Sequence, residues 1–245
     1  MKIAVICVGL PHKNHKKQKP VLDTLNEIFK DDDIYYHTWE RAEKHVMPDY
    51  KDKLMTCPEP EITYHPFIDT PREPNINPRY IVDRDAALRE YKRKPQTAAA
   101  KKKHGHLQIL GYADAFSRIP KKYDLYIKTR WDLMIHKDAN FKPFYQKALE
   151  VGPVGFGPTD KTPNPKLPLV EQPRELGIRL ADRWQCYIAD QMIFHSPKHF
   201  DPELVWKLHK EQTLHPIEWG WWQVLSHPYG GDIHTCVWNG VKIRR

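Results

Sequence analysis

The stretch IAVICV at residues 3–8 decides the fold class, because an unbroken apolar run fits a strand that is buried on both faces. Gly9-Leu10-Pro11 ends this strand. Residues 21–29 follow with apolar positions at helical spacing, and residues 34–39 are rich in the β-branched and aromatic residues of strands. A strand, a helix and a second strand in this order predict a βαβ unit with parallel strands.

The rest of the chain continues the alternation of helices and strands. We predict a mostly parallel, Rossmann-like α/β sheet with strands near 2–8, 33–39 and 123–130 and helices on both faces. Further predicted elements are helices over 97–119, 201–212 and 217–225, and strands at 61–64, 192–194 and 237–243. Asp201 and Pro202 suit the N-cap and first position of a helix.

Two proline-rich stretches interrupt this pattern, at residues 41–95 and 151–173. Loops of this length in a compact domain are usually functional or mobile. We therefore expect both to be less ordered than the core and to close partly over a bound ligand.

Composition indicates a globular protein, with 40% hydrophobic and 29% charged residues. No run approaches the roughly 18 apolar residues of a membrane span, and the N-terminus lacks the pattern of a signal peptide. The four cysteines have no C-x-x-C spacing, so no zinc cluster is expected, and a free thiol inside the first strand favours a reducing compartment. We expect a cytoplasmic protein.

The formal net charge of +8 suits an anionic partner, although a solvated basic surface explains it equally well. The basic clusters at Lys13–Lys19 and Lys101–Lys103 are not interleaved with aromatic residues, as single-strand-binding grooves are. Nucleic acid is therefore not the expected partner.

The most informative segment for function is YDLYIKTRWDLMI at residues 123–135. Its apolar strand runs into Lys128, Arg130 and Asp132 at alternate positions, which share one face of an extended chain. Open α/β sheets bind ligands at the carboxyl ends of their strands, so these side chains suit a pyrophosphate and its Mg²⁺ or Mn²⁺ ion. The alternative is a ladder of surface salt bridges on an edge strand.

The same segment resembles GT-A-type glycosyltransferases of bacteria and viruses, in which an R-x-D element stands in place of D-x-D. The stretch DIYYHTW at residues 33–39 resembles their second strand, and ADQMIF at 189–194, followed by Ser196-Pro197, resembles their A-D-Q motif. WavE-like lipopolysaccharide synthesis proteins are the nearest family by this resemblance. This chain departs from it in two ways: no arginine follows the first strand, and the metal motif has one carboxylate.

The resemblance implies transfer of a sugar from a nucleoside-diphosphate sugar to a hydroxyl acceptor such as a glycan. It implies one domain over residues 1–245, with a nucleotide-sugar-binding half at 1–135 and an acceptor-binding half at 136–245. Asp132 would hold Mn²⁺ or Mg²⁺ and take part in catalysis. The donor-binding candidates are Gly9, His37, Thr38, Gln108, Lys128 and Arg130.

Asp190 is the candidate general base, because an inverting transfer needs a carboxylate that can take the proton of the acceptor hydroxyl. The acceptor-binding candidates are Gln191, Trp221 and Trp222, since aromatic faces stack on the apolar faces of sugars. Structural alternatives stay open for each: Asp190 as a turn cap, the tryptophans as core and Gln108 as a solvated helix residue.

Two other classes of protein compete with this interpretation. A different nucleotide-using enzyme, such as a nucleotidyltransferase, would favour a glycine-rich phosphate loop after the first strand, where only Gly9 is present. A basic nucleic-acid-binding protein without enzymatic activity would explain the net charge. It would not explain Lys128, Arg130 and Asp132 at the end of an apolar strand.

Overall fold

A computed structural model describes residues 1–64, 95–135, 139–157, 178–180, 190–215, 217–226, 234–237 and 241–243. The strands are β1 Ile3–Val8, β2 Asp33–Trp39, β3 Leu54–Cys57, β4 Leu125–Arg130, β5 Leu133–Ile135, β6 Val154–Gly157, β7 Ile178–Leu180, β8 Met192–His195, β9 His234–Val237 and β10 Val241–Ile243. The α-helices are α1 His15–Ile28, α2 Glu40–Glu43, α3 Pro95–Arg118, α4 Lys142–Val151, α5 Pro202–Lys210 and α6 Ile217–Ser226, and 3-10 turns lie at Pro48–Lys53 and Pro197–His199.

The central sheet has the strand order β3-β2-β1-β4-β8-β6-β9-β7. β1 runs parallel to both β2 and β4, and β2 runs parallel to β3. β8 is antiparallel to β4 and to β6, so the sheet is mixed on that side. The predicted Rossmann-like, mostly parallel α/β architecture is confirmed.

The apolar runs form the middle of the sheet because both of its faces are covered by helices. One face of β1 packs Val5 and Cys7 against Leu22 and Leu25 of α1. The other face belongs to a second core cluster, which contains Ala4, Ile6 and Val8 of β1 and the buried residues of α3, α5 and α6. Helices on both faces were predicted and are confirmed.

Helix α3 carries the predicted buried stripe, with Ile109, Tyr112, Ala113 and Phe116 all in the second cluster. The start of α5 also agrees with the sequence, because the Asp201 carboxylate accepts a hydrogen bond from the Glu203 backbone N–H at 2.9 Å. The boundaries of α3 and α5 were therefore readable from apolar spacing and capping chemistry.

Several local predictions were wrong. Residues 61–64 form no strand, and β3, which was not predicted, lies at one edge of the sheet. The expected loop at 151–173 contains β6, which is short and glycine-rich and has no alternation to reveal it. The single strand predicted at 237–243 is divided between β9 and β10, and β10 pairs with β5. The predicted mobile stretches at 65–94 and 158–173 lie outside the described residues.

In the part of the chain that the structure describes, no helix combines the length and apolar character that a membrane crossing requires.

Candidate functional site

A cavity of about 210 Å³ opens at the carboxyl ends of β1 and β4. The chain leaves β1 through α1 to β2 on one side, whereas β4 joins β1 on the other side. This reversal of direction is the topological switch point at which open α/β sheets bind their ligands. The polar and ring-bearing residues that line the cavity are Gly9, Trp39, Gln108, Arg130, Trp131 and Asp132.

A larger cavity, of about 500 Å³, lies at the opposite end of β1 and is lined by Ile3, Ile28, Asp32 and Phe141 among others. Burial and the neighbouring Asp31 carboxylate raise the pKa of Asp32 to about 6. The amino ends of parallel strands are not where such sheets place their ligands. The cavity at the switch point is therefore the candidate functional site.

Gly9 forms the floor of the site in a backbone conformation that favours glycine, with φ at +111°. Its carbonyl oxygen accepts a hydrogen bond from the Thr38 hydroxyl at 2.9 Å. Thr38 is fully buried, so the structure places it behind the cavity, where it holds the turn after β1. The sequence had placed Thr38 on the donor itself.

Arg130 and Asp132 form a two-pronged ion pair at the mouth of the cavity. Arg130 Nε donates to Asp132 Oδ1 at 2.8 Å, and a terminal nitrogen donates to Oδ2 at 2.9 Å. A guanidinium that holds a carboxylate in this fork has the geometry for a phosphate in the same place. The predicted neighbours thus lie together on the cavity, but they neutralise one another when no ligand is bound.

Lys128 lies beneath the site and has no exposed surface. Its ammonium group donates to Gln108 Oε1 at 2.6 Å and to the backbone carbonyl of Asp190, and lies 5.0 Å from the centre of the Trp221 ring. Burial lowers the pKa of Lys128 to about 7. The structure therefore places Lys128 as a brace behind the cavity, whereas the sequence had placed it against the diphosphate.

Asp190 comes directly before β8 and connects to both cations of β4. Lys128 holds its carbonyl, and one of its carboxylate oxygens lies 3.8 Å from an Arg130 nitrogen. The carboxyl end of β4 and the segment before β8 thus meet at Arg130. The adjacent Gln191 is half-buried, and its Oε1 atom has no hydrogen-bond partner among the described residues.

Gln108 joins the site to the helices above it. Its Oε1 atom accepts hydrogen bonds from Lys128 and, at 3.3 Å, from Trp221 Nε1. Trp221 is fully buried and belongs to the core, which agrees with the structural alternative for the tryptophans and does not support a contact with the acceptor. The side chain of Trp222 lies outside the described part of the structure, so its predicted acceptor contact stays a prediction.

His37 lies two residues before Trp39 on β2 but does not line the cavity itself, and it is fully buried under α3. Its Nε2 atom lies 3.1 Å from Asp114 Oδ2 and 3.5 Å from Cys57 Sγ, and its carbonyl accepts a hydrogen bond from Trp131 Nε1 at 2.8 Å. The expected contact of His37 with a nucleotide is not supported by this position.

The predicted cation site at Asp132 has one clear oxygen donor group. Carboxylate oxygens suit Mg²⁺ and Mn²⁺, but Arg130 occupies both oxygens of Asp132 in this structure. Within the described ranges, Asp132 belongs to no group of three or more side chains that could share a metal ion. Asp132 therefore fits a cation only as one ligand beside the phosphates and waters.

Sequence reasoning missed two properties of the site. The donor-site hypothesis did not include the pairing of Arg130 with Asp132, which the salt-bridge alternative had allowed and which is common for an arginine and a carboxylate. It also assigned no role to Trp131. The signal for such a role was its place in the sequence, between Arg130 and Asp132. Trp131 lines the cavity but is almost fully buried, and its Nε1 atom donates to the His37 carbonyl, which fixes the alternate arrangement of its two neighbours.

No protein-family model matches the chain, and no curated protein matches it. Among solved structures, the chain is similar to 4-diphosphocytidyl-2C-methyl-D-erythritol synthase from Anaerococcus prevotii, at 11% identity and a TM-score of 0.44, with 100% of this chain and 93% of that chain covered. It is similar to mannose-1-phosphate geranyltransferase from Thermus thermophilus at the same identity and TM-score, with 98% and 75% covered. Likeness at this level assigns neither a family nor an activity.

Proposed function

We propose that this chain is a glycosyltransferase that takes a sugar from a nucleoside-diphosphate sugar and transfers it to a hydroxyl acceptor. The observation that carries the proposal is the Arg130–Asp132 ion pair on the lining of a cavity at the topological switch point of the sheet. Asp190 supplies a second carboxylate beside the same guanidinium. The sequence resemblance to GT-A-type enzymes supports the same class.

In the proposed reaction, the oxygen of the acceptor hydroxyl forms a bond to the anomeric carbon of the donor. The bond from that carbon to the β-phosphate oxygen breaks, and the nucleoside diphosphate leaves with the bonding electron pair. Arg130 moves from Asp132 to this phosphate and stabilises the charge that develops there. In an inverting transfer, Asp190 takes the hydroxyl proton.

Asp132 is left without its partner when Arg130 turns to the phosphate. It would then hold Mg²⁺ or Mn²⁺, and a bound divalent cation would supply Lewis-acid stabilisation of the leaving diphosphate. Because Asp132 is on the cavity lining and about one-third exposed, it can make this exchange without unfolding its surroundings. Gly9 lets the backbone of the turn after β1 come close to the phosphates.

The test is a calorimetric measurement of binding, with and without Mn²⁺. The ligands are nucleoside diphosphates and UDP-, GDP-, dTDP- and CMP-sugars. Arg130→Ala should weaken diphosphate binding by about 1.5–3 kcal/mol, the range of a hydrogen bond to a charged group. Arg41→Ala is the matched control, because Arg41 also pairs with a carboxylate, Glu59, but does not line the cavity. Equal binding by both variants would exclude this cavity as the donor site.

The products distinguish glycosyl transfer from nucleotidyl transfer. A glycosyltransferase releases a nucleoside diphosphate, and slow hydrolysis of the donor by water reveals this even when the acceptor is unknown. Release of pyrophosphate from a nucleoside triphosphate would favour the competing nucleotidyltransferase. Asp190→Asn should lower the rate of transfer by roughly 10²–10⁴-fold and leave diphosphate binding unchanged, as expected for loss of a general base.

A further inference from the structure

A second cluster of chemically reactive side chains lies outside the candidate donor site. His37 comes from β2, Cys57 ends β3 and Asp114 projects from α3. His37 Nε2, Cys57 Sγ and one Asp114 oxygen lie within 4.8 Å of one another. Three separate elements thus bring one nitrogen, one sulfur and one oxygen donor to a common point.

The two distances from His37 Nε2 match edges of a tetrahedral metal site. A tetrahedral Zn²⁺ ion with ordinary bond lengths separates its nitrogen ligand from a sulfur ligand by about 3.5 Å and from an oxygen ligand by about 3.3 Å. Here His37 Nε2 lies 3.5 Å from Cys57 Sγ and 3.1 Å from Asp114 Oδ2. Both distances from His37 therefore agree with a shared ion to within a few tenths of an ångström, and the third pair, Cys57 Sγ and the Asp114 oxygen, lies within 4.8 Å.

The surroundings hold these side chains in place. Arg118 donates to Asp114 Oδ1 at 3.2 Å and to the Thr56 carbonyl at 3.0 Å, which fixes the carboxylate relative to the end of β3. Hydrogen bonding of a ligating carboxylate from outside is usual in metal sites. Gly111 leaves room for the imidazole, because a Cβ there would lie 3.0 Å from His37 Nδ1.

Among the residues that the structure describes, the His37 ring makes polar contacts only on the side that faces the cluster. Its Nδ1 atom is buried without a hydrogen-bond partner among the described residues, so Nε2 provides the ring's described polar contacts, to Asp114 and Cys57. The fourth ligand can be a water molecule that enters on the side of Asp114. The Asp114 side chain is 18% exposed, whereas the His37 side is fully buried. The set is softer than the all-oxygen sets that Mg²⁺ prefers.

We propose that His37, Cys57 and Asp114 bind one Zn²⁺-like divalent cation, with water in the fourth position. Binding converts the Cys57 thiol to a thiolate and releases its proton to solvent. The ion ties β2 and β3 to α3 at the edge of the sheet. This site is independent of the proposed transferase reaction and of the cation expected at Asp132.

The experiment is titration of the chelator-treated, full-length protein with Co²⁺ in the absence of nucleotide. We expect one Co²⁺ per chain, with a thiolate-to-metal charge-transfer band, intense visible bands of tetrahedral Co²⁺, and displacement by Zn²⁺. Cys57→Ala should abolish the charge-transfer band, and Asp114→Asn should lower the affinity by roughly tenfold or more. Cys7→Ala is the matched control, because Cys7 is also a buried free thiol but lies in the other core cluster.

Two results would overturn the proposal: a parent protein without the thiolate band at stoichiometric Co²⁺, or an equal band in Cys57→Ala. If a variant does not fold, the parent alone decides, because Zn²⁺ should raise its melting temperature above that in EDTA. An unchanged melting temperature would count against the site. Arg130→Ala should bind Co²⁺ like the parent. The test of the metal site therefore does not depend on whether the donor-site proposal is correct.

Discussion

Lys128 and Asp190 are joined by a hydrogen bond from the Lys128 ammonium group to the Asp190 backbone carbonyl. This bond attaches the strand that carries Arg130 to the segment that carries the proposed base. Because Lys128 is fully buried and also bonded to Gln108, it sets where Asp190 stands without touching a ligand in the cavity.

Lys128→Met should change the pH dependence of stability. Burial lowers the pKa of Lys128 to about 7 in the folded protein. In the unfolded chain its pKa should have the usual value for lysine, about 10.4. Between these values the unfolded chain binds one more proton, so the parent's free energy of unfolding should rise with pH by about 1.4 kcal/mol per unit relative to the variant. Denaturant unfolding at pH 7, 8 and 9 measures this difference. If the free energy of unfolding changes equally with pH in both proteins, the lowered pKa of Lys128 is wrong.

Asp132→Asn should separate the two roles assigned to the Arg130–Asp132 pair. Both side chains are partly exposed, so the loss of the ion pair should cost at most about 1 kcal/mol of stability. Without Mn²⁺, Arg130 should bind a nucleoside diphosphate more tightly than it does in the parent, because the Asp132 carboxylate no longer competes with the phosphate. With Mn²⁺ and a donor, the rate of transfer should fall by roughly 10²-fold, because the cation has lost its protein ligand.

Calorimetry without metal and a rate assay with Mn²⁺ measure these opposite effects. A variant that melts many degrees lower would instead show that the pair mainly holds the sheet together. Unchanged diphosphate affinity in the metal-free experiment would mean that Arg130 does not leave Asp132 to meet the phosphate.

Gly9→Ala should lower both stability and ligand affinity. The position is open to a Cβ, with no atom within 4 Å, but its φ of +111° is strained for alanine and should cost about 1–3 kcal/mol. Gly152→Ala is the matched control, because Gly152 has a φ of +101° at the end of α4 and does not line the cavity. Both variants should lose stability in thermal melts, and only Gly9→Ala should also lose diphosphate affinity.

His195→Gln should reduce the sensitivity of the fold to acid. His195 is buried, with Nδ1 donating to the Ser196 carbonyl at 2.8 Å and Nε2 accepting from the Tyr112 hydroxyl at 2.6 Å. Burial lowers the pKa of His195 to about 4. As pH falls from about 6.5 to about 4, the unfolded chain takes up a proton that the folded chain does not, so the parent loses about 1.4 kcal/mol per pH unit relative to the variant.

Urea unfolding of both proteins from pH 7 to pH 4 tests this expectation. Glutamine keeps a donor and an acceptor at the position and removes only the titration. Parallel loss of stability in the two proteins over this range would mean that other groups control the acid limit.

Alternation along the sequence predicted correctly which face of β4 carries Lys128 and Arg130, because side chains in a strand alternate regardless of what covers them. Alternation did not predict how deeply each of these two side chains is buried. Lys128 lies opposite Ile6, under α3 and α6, whereas Arg130 lies opposite Val8 at the carboxyl end. Only the register with β1 distinguishes the brace from the ligand-facing residue, and register depends on residues more than a hundred positions away.

The middle of the sheet was predictable because β1, β2 and β4 each have six or seven residues, rich in apolar, aromatic and β-branched side chains, and most of these residues are buried. β3 and β6 were not, since each has four residues and obtains its place from a neighbouring strand rather than from its own composition. The burial of His37 and Thr38 was not predicted for a related reason. Polar residues at a strand end suggest a ligand, but here the Asp114 carboxylate of α3 contacts His37 Nε2, and the Gly9 carbonyl accepts a hydrogen bond from Thr38.

The central position of β1 has a consequence for biosynthesis. The backbone N–H of Lys2 bonds to the Asp124 carboxylate across a sequence separation of 122 residues, and β4 pairs with β1 directly afterwards. At ordinary translation rates β1 waits about 6 to 24 seconds on the ribosome before that partner is made. During this time one edge of the most apolar strand has no hydrogen-bonded neighbour, and such edges drive association between nascent chains. We therefore expect good yields of this protein to depend on chaperones that cover the emerging N-terminal segment.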